Sequence, residues 1–437
     1  MSSQIVTDPA VEAVERFIAG RQEPQWMTDV RRVALDRFRD MEWPTAQDEE
    51  FRRSDVSSYD FDRYRLSSST GLPQGVEVPV VQSGIVEFSG TQVKRRALAE
   101  GLAEKGVVFI SIEEAVADGL DGQGLDQQIL SSVREALLKG IANADNRLSV
   151  WHYATITHGA ILYVPKFLEL KEPFIVSFDD DGDGDLRAPQ IVVIGEEGAR
   201  FSVVSRTVQD DEGEIFYNEG VNIVVGDAGQ VEYFSVQNVN IDSTYISNGM
   251  ATVGRDSVYH GYTAAFGGMF SKYRFDAEMV GVGGDAFLGG VYFPHEDQHI
   301  DLRTVQRHLE PKAHSLTLYK GAVNDEAHSV FQGLINVDHA ALDTDAYLTN
   351  NNLILSDDGQ ADSIPSLEIS TDEVRCSHGS TTGKLDPRQI YYLQTRGYSS
   401  EEARRLLLEG YFEEVLSKYP EVVADELRGI VDDRISD

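Results

Sequence analysis

The sequence predicts a mainly β fold with helices at both ends, and three observations support this. Between about residues 150 and 370 the chain is a succession of short alternating or apolar runs, such as Phe201-Ser-Val-Val-Ser and Val231-Glu-Tyr-Phe-Ser-Val. Gly, Asp and Asn punctuate those runs, and no helical spacing interrupts them. On either side, apolar residues return to a helical period.

At the start, Val11, Val14, Phe17 and Ile18 form one apolar helical face, and Val30, Val33, Ala34 and Phe38 form a second, which Pro44 stops. From about 77 to 150, strand-like Val78-Pro-Val-Val and Val107-Val-Phe-Ile-Ser-Ile accompany a helical stretch over 129–141 carrying Val133, Leu137 and Leu138. Residues 1–150 therefore read as a helical and mixed α+β region. The core, 151–384, has many short strands and no crossover helices, a pattern that fits a sandwich, a barrel or a β-solenoid. Periodicity does not choose among the three.

Residues 385–437 read as a helical domain. Asp386 caps a helix with Pro387 at its first position, and Gly397 sits where that helix ends. Ser399 and Glu402 form a capping box for the next, in which Ala403, Leu406, Leu407, Gly410, Tyr411 and Leu416 keep helical spacing. Pro420 breaks it, and Val422, Val423, Leu427 and Ile430 begin a third. An apolar stripe left exposed on such a cap is a surface for a partner.

Composition excludes several functions. With 437 residues, 41% of them hydrophobic, the chain has enough material for a large core and two or three domains. Thirty-eight basic against seventy-three acidic residues leave a net charge of -35, which repels nucleic acid and anionic membrane surfaces. The spread of the acids and the excess of Arg over Lys point to a halophilic source. A single cysteine, Cys376, excludes an internal disulfide and a Cys₄ site, and makes the cytoplasm the expected compartment. The amino terminus has no basic-then-apolar leader, and no run approaches the roughly 18 apolar residues of a membrane helix.

The sharpest chemical motif is Arg375-Cys376-Ser377-His378-Gly379. Cys376 and His378 lie two apart and share one face of a strand. A thiolate and an imidazole so placed can hold iron or sulfur, but spacing alone equally describes a half-buried thiol beside a hydrogen-bonded surface histidine. His299 and Asp301 also share a strand face, with Arg303 on the same side. Two ligands are too few for a metal, and structural salt bridges explain them as well. Asp179, Asp181 and Asp183 match half of a calcium loop, but Gln190 stands at its twelfth position, so a solvated acidic loop is expected. The run Gly379-Ser-Thr-Thr-Gly383-Lys384 lacks the leading glycine and following Ser or Thr of a phosphate loop. The glycines at 281, 283, 284, 289 and 290 fit turns or bulges within strands.

Around Cys376 the sequence resembles a known family. Pro365-Ser-Leu-Glu-Ile, then 375–386, is similar to the P-x-L-E-I strand and K-C-S-H-G-A-T run of D-type members of the SufB/SufD family, scaffolds of SUF iron-sulfur cluster assembly. Gln389-Ile-Tyr-Tyr-Leu-Gln-Thr-Arg-Gly397, His299-x-Asp-x-Arg-Thr304, Tyr319-Lys-Gly321, Val330-Phe-Gln-Gly333, Tyr163-Val-Pro-Lys166 and Glu49-Glu-Phe-Arg-Arg-Ser-Asp55 resemble further family elements. The B-type cysteine and glutamate would fall at Asn350 and Gly379, which points to the D type.

The resemblance implies a right-handed parallel β-helix between helical ends, pairing with SufB and carrying C-terminal helices for the SufC ATPase. It implies a non-catalytic subunit whose His378, with Cys376 beside it, contributes to a transient cluster or iron site at the SufB interface, with no tightly bound cofactor of its own. Two other readings remain: a β-solenoid carbohydrate-active enzyme using His299, Asp301 and Arg303, and a purely structural homodimer.

Overall fold

The computed structural model describes residues 8–57, 60, 63–66, 82–121, 125–209 and 212–436. The strand expected at 78–81 lies outside them. Two helices, Pro9–Ala19 and Gln25–Asp40, open the chain where the sequence predicts them, the first capped by the Asp8 carboxylate on the Ala10 amide. A hairpin follows, Gly84–Ser89 with Gln92–Leu98, then the strand Val108–Ser111 and the helices Ile112–Asp121, Gln127–Asn143 and Arg147–Thr155.

From His158 to Gly383 every element is a strand, and the β architecture left open by periodicity is a parallel solenoid of about eight turns. Each turn contributes one strand to each of two sheets. One sheet runs from His158–Val164 through Pro189–Gly195, Ile215–Val225, Thr244–Val253, Phe270–Met279, His299–His308 and His328–Val337 to Gln360–Ile369. The second runs from Phe174–Asp179 through Arg200–Val208, Gln230–Asn238, Val258–Ala265, Asp285–Tyr292, His314–Val323 and Thr344–Ile354 to Val374–Gly383.

One corner has the same backbone in every turn but the last. Phe167, Gly198, Ala228, Asp256, Gly283, Lys312 and Asp343 all sit at positive φ, about 30 residues apart. The amide of each donates to the next turn, as Ala228 does to the Arg255 carbonyl and Asp256 to that of Val282. This left-handed residue turns the chain sharply enough to return to the next strand in register.

The lumen between the sheets is filled by stacked side chains, Tyr217, Tyr245 and Tyr273 among them. Glycines make room for the rings: a Cβ at Gly321 would lie 2.2 Å from the Tyr292 ring, and one at Gly290 2.4 Å from that of Tyr319. The N-terminal helices cover the outer face of the first sheet through Trp151, Phe216 and Ile246. The C-terminal helices, Pro387–Thr395, Ser400–Leu416 and Glu421–Ser436, begin with the Asp386 cap and the Ser399–Glu402 capping box that the sequence predicts. They pack on the outer face of the second sheet, with Leu408, Phe412, Val415 and Leu427 against Phe234, Tyr262 and Phe293. The buried face of Ser400–Leu416 is therefore docked on the chain itself, and of the residues proposed to face a partner Leu406, Gly410 and Val422 stand exposed.

Candidate functional site

The last turn of the solenoid is open. Gln360–Ile369 and Val374–Gly383 are the terminal strands of their sheets, so each pairs on one side only. In the preceding strand of the second sheet, Ala346, Leu348, Asn350 and Asn352 face the lumen and are buried. Parallel register stacks Cys376 on Ala346, His378 on Leu348 and Ser380 on Asn350, so those residues also point to the lumen side. Across it, Leu367 stacks on Ile335 and Ile369 on Val337. With no further turn above them, Leu367 and Ile369 are 36% and 39% exposed, and His378 is exposed as well. The strand expected to put Cys376 and His378 on one face is present, and that face is the mouth of the lumen.

The two groups differ chemically. Cys376 is half-buried against the core, and burial, helped by nearby Asp345, pushes its thiol up, so the protonated form prevails. His378 is open to solvent and Arg375 beside it pairs with Asp345 at 3.0 Å.

Directly beneath lies a closed ring of three hydrogen bonds. Tyr292 Oη donates to Asn352 Oδ1 at 2.5 Å, Asn352 Nδ2 to Asn350 Oδ1 at 2.8 Å, and Asn350 Nδ2 back to Tyr292 Oη at 2.8 Å. Asn350 is fully buried and its amide is committed to this ring. Sequence reasoning did not find Tyr292, because it lies 58 residues from Asn350 along the chain.

His299, Asp301 and Arg303 occupy a different place, the outer face of the first sheet, beneath the segment around Glu49–Phe51. Glu50 faces Lys272, Arg274 and Arg303 at 3.9, 3.2 and 3.7 Å. Lys272 Nζ donates to Asp301 Oδ2 at 2.6 Å and lies 4.7 Å above the Phe51 ring. Ser54 Oγ bonds both His299 Nε2, at 2.8 Å, and Asp301. Because that hydroxyl proton goes to Asp301, the imidazole serves as donor to Ser54 and is not a base for it. Burial pushes His299 down to about 4, which keeps it neutral. The trio thus clamps a strap to the solenoid, and Arg53 extends it to Asp362 on the last turn at 3.2 Å.

The other motifs have structural settings too. Asp183 Oδ1 accepts from the Glu214 amide and Asp180 pairs with Arg187 at 2.9 Å. Lys384 Nζ donates to Asp357 at 2.6 Å, after a strand that runs to Gly383. Gly283 is a positive-φ corner, and Gly289 and Gly290 lie within Asp285–Tyr292. No helix among the described residues is long and apolar enough to cross a membrane.

Residues 178–411, more than half of the chain, match the family described as SUF system FeS cluster assembly, SufBD core domain. The chain is 36% identical to an iron-sulfur cluster assembly SufBD family protein of Mycobacterium leprae, over 78% of this chain and 86% of the relative. It is 25% identical to the iron-sulfur cluster assembly protein SufD of Bacillus subtilis over 97% of both chains, and 28% identical to SufD of Escherichia coli over 50% of this chain and 52% of that one. The chain therefore belongs to the SufBD family of SUF iron-sulfur cluster assembly proteins and is SufD-like.

Proposed function

We propose that this protein is a non-catalytic, cytoplasmic scaffold subunit that pairs with SufB through the open end of its solenoid. The observation that carries the reading is that terminal turn. Two unpaired strand edges flank an exposed apolar floor, Leu367 and Ile369, with Cys376 and His378 at its rim. An edge of this kind is an aggregation hazard unless another chain covers it, and a second solenoid end supplies matching strands and apolar residues. His378 then faces the partner and holds iron or positions sulfide during assembly, with Cys376 as a second donor. One histidine and one cysteine are too few for a stable cluster site, which accounts for a shared and transient one.

A separate surface suits the SufC ATPase. Pro387–Thr395 buries none of its residues, and Tyr391 and Tyr392 are 68% and 56% exposed, with Tyr398 and Leu406 nearby in sequence. Exposed aromatic residues on a rigid helix are the usual anchors of a protein interface. The test is co-purification of this chain with SufB and SufC, followed by anaerobic cluster reconstitution with wild type and His378→Ala. The reading expects a stable complex in both cases and a collapsed cluster yield in the variant. Full yield from His378→Ala would favour the purely structural homodimer, and no association with either partner would overturn the scaffold reading.

A further inference from the structure

The side chains in the middle of the lumen leave a cavity between them. Between Ile215–Val225 and Phe270–Met279 a cavity of about 20 Å³ is lined by Glu219, Tyr233, Ser247, Tyr259 and Tyr273. That is room for a water-sized occupant. Glu219 is 1% exposed, and its carboxylate accepts from Ser247 Oγ at 3.1 Å and Thr207 Oγ1 at 3.4 Å. Among the described residues no basic side chain forms an ion pair with it. Arg274 and Arg303 also line the cavity, and their guanidiniums are paired with Glu50, Asp145 and Asp276.

Burial pushes Glu219 up to about 7 against hydrogen bonds from Tyr245, Ser247 and Thr207, and a carboxylate so placed either takes up a proton or binds a counter-ion. Its surroundings favour the second. The hydroxyls of Tyr233, Tyr259 and Tyr273 are buried and meet no hydrogen-bond partner of good geometry. Tyr233 and Tyr273 are close enough to Glu219 that, after burial, its charge is what further raises their phenols. Buried hydroxyls without a protein partner are commonly completed by a water or an ion.

We propose that this chamber binds one monovalent hard cation of potassium's size, through the Glu219 carboxylate and the hydroxyl oxygens of Ser247, Tyr233 and Tyr273. The donor set is all oxygen, which suits a hard ion. It carries a single negative charge, which balances a monovalent ion and leaves a divalent one uncompensated. The proposal stands apart from the scaffold reading, since it concerns the interior of this chain and not its open end.

Crystals of the full chain soaked in rubidium chloride test it by anomalous scattering. A rubidium peak within coordination distance of Glu219 is the expected result, and a map with only ordered water there would overturn the proposal. In parallel, the melting temperature of wild type and Glu219→Gln is compared in potassium and tetramethylammonium chloride at equal ionic strength. Wild type should melt higher in potassium and the variant equally in both. Equal melting of wild type in the two salts would count against the site whether or not the variant folds.

Discussion

Replacing Asp301 by alanine measures what holds the Glu49–Phe51 strap to the solenoid. Asp301 is fully buried, and its Oδ2 takes both the Lys272 ammonium at 2.6 Å and the Ser54 hydroxyl. Without it, the Lys272 side chain, 4% exposed, keeps the Glu50 carboxylate at 3.9 Å, the Glu50 carbonyl at 3.2 Å and the Phe51 ring at 4.7 Å. Breaking a buried ion pair from one side costs about 3–5 kcal/mol. Recruitment of Glu50 towards Lys272 offsets part of that, so about 3 kcal/mol of strap stability is expected to be lost. Because solenoids open locally, amide hydrogen exchange of residues 49–55 is the suitable assay. The Phe51 amide, bonded to the Asp48 carbonyl at 3.0 Å, and that of Ser54, bonded to Phe51 at 3.1 Å, should exchange about a hundredfold faster, at 1.4 kcal/mol per factor of ten. Exchange within a factor of about two of wild type would refute the ion-pair account and leave the apolar contacts of Phe51 as the anchor.

Strap seating should also depend on pH. The folded pKa of His299, about 4, lies below its ordinary 6.5, so the folded state binds fewer protons than the open one between those values, and strap stability should fall as pH drops through that window. Proteolytic cleavage near residue 53 that does not quicken between pH 6.5 and 4 would contradict this. Tyr292→Phe leaves Asn350 Nδ2 and Asn352 Oδ1 buried without their partner, and should cost about 1–3 kcal/mol, read as a lower melting temperature. An unchanged melting temperature would deny the ring its role. Phe167 sits at φ 58° with its ring 71% exposed, so Phe167→Gly should relieve roughly 1 kcal/mol of backbone strain, and a destabilised variant would show that its contact with Gly198 matters more.

Much of the fold was legible in the sequence, for identifiable reasons. The strands of the core announce themselves by short alternating runs, and the C-terminal helices by caps at Asp386 and Ser399. The solenoid was not readable from periodicity, since its repeat lies in backbone shape. Of the seven corner residues only Gly198 and Gly283 are glycine, so no residue pattern marks the period of about 30. Helix Arg147–Thr155 was missed because every one of its residues is buried, and a helix covered on all sides has no apolar stripe.

At the candidate site, the shared face of Cys376 and His378 followed from strand alternation. That this face opens into the lumen did not, because it depends on which side of the sheet the neighbouring turn buries, through Ala346 and Leu348. The strap partners were also hidden, Ser54 and His299 being 245 residues apart. Only the resemblance linked Glu49-Glu-Phe to His299-x-Asp-x-Arg as parts of one family, and it said nothing of their contact.

The central claim is that the open turn is where SufB docks. Hydrogen exchange of this chain, alone and mixed with SufB, tests it most directly. Gln360–Ile369 and Val374–Gly383 carry unpaired edge amides, which should become protected on mixing, while the opposite end, around Gly84–Ser89, should not change. Protection confined to the strap or the C-terminal helices, with both terminal strands still exchanging freely, would contradict the account.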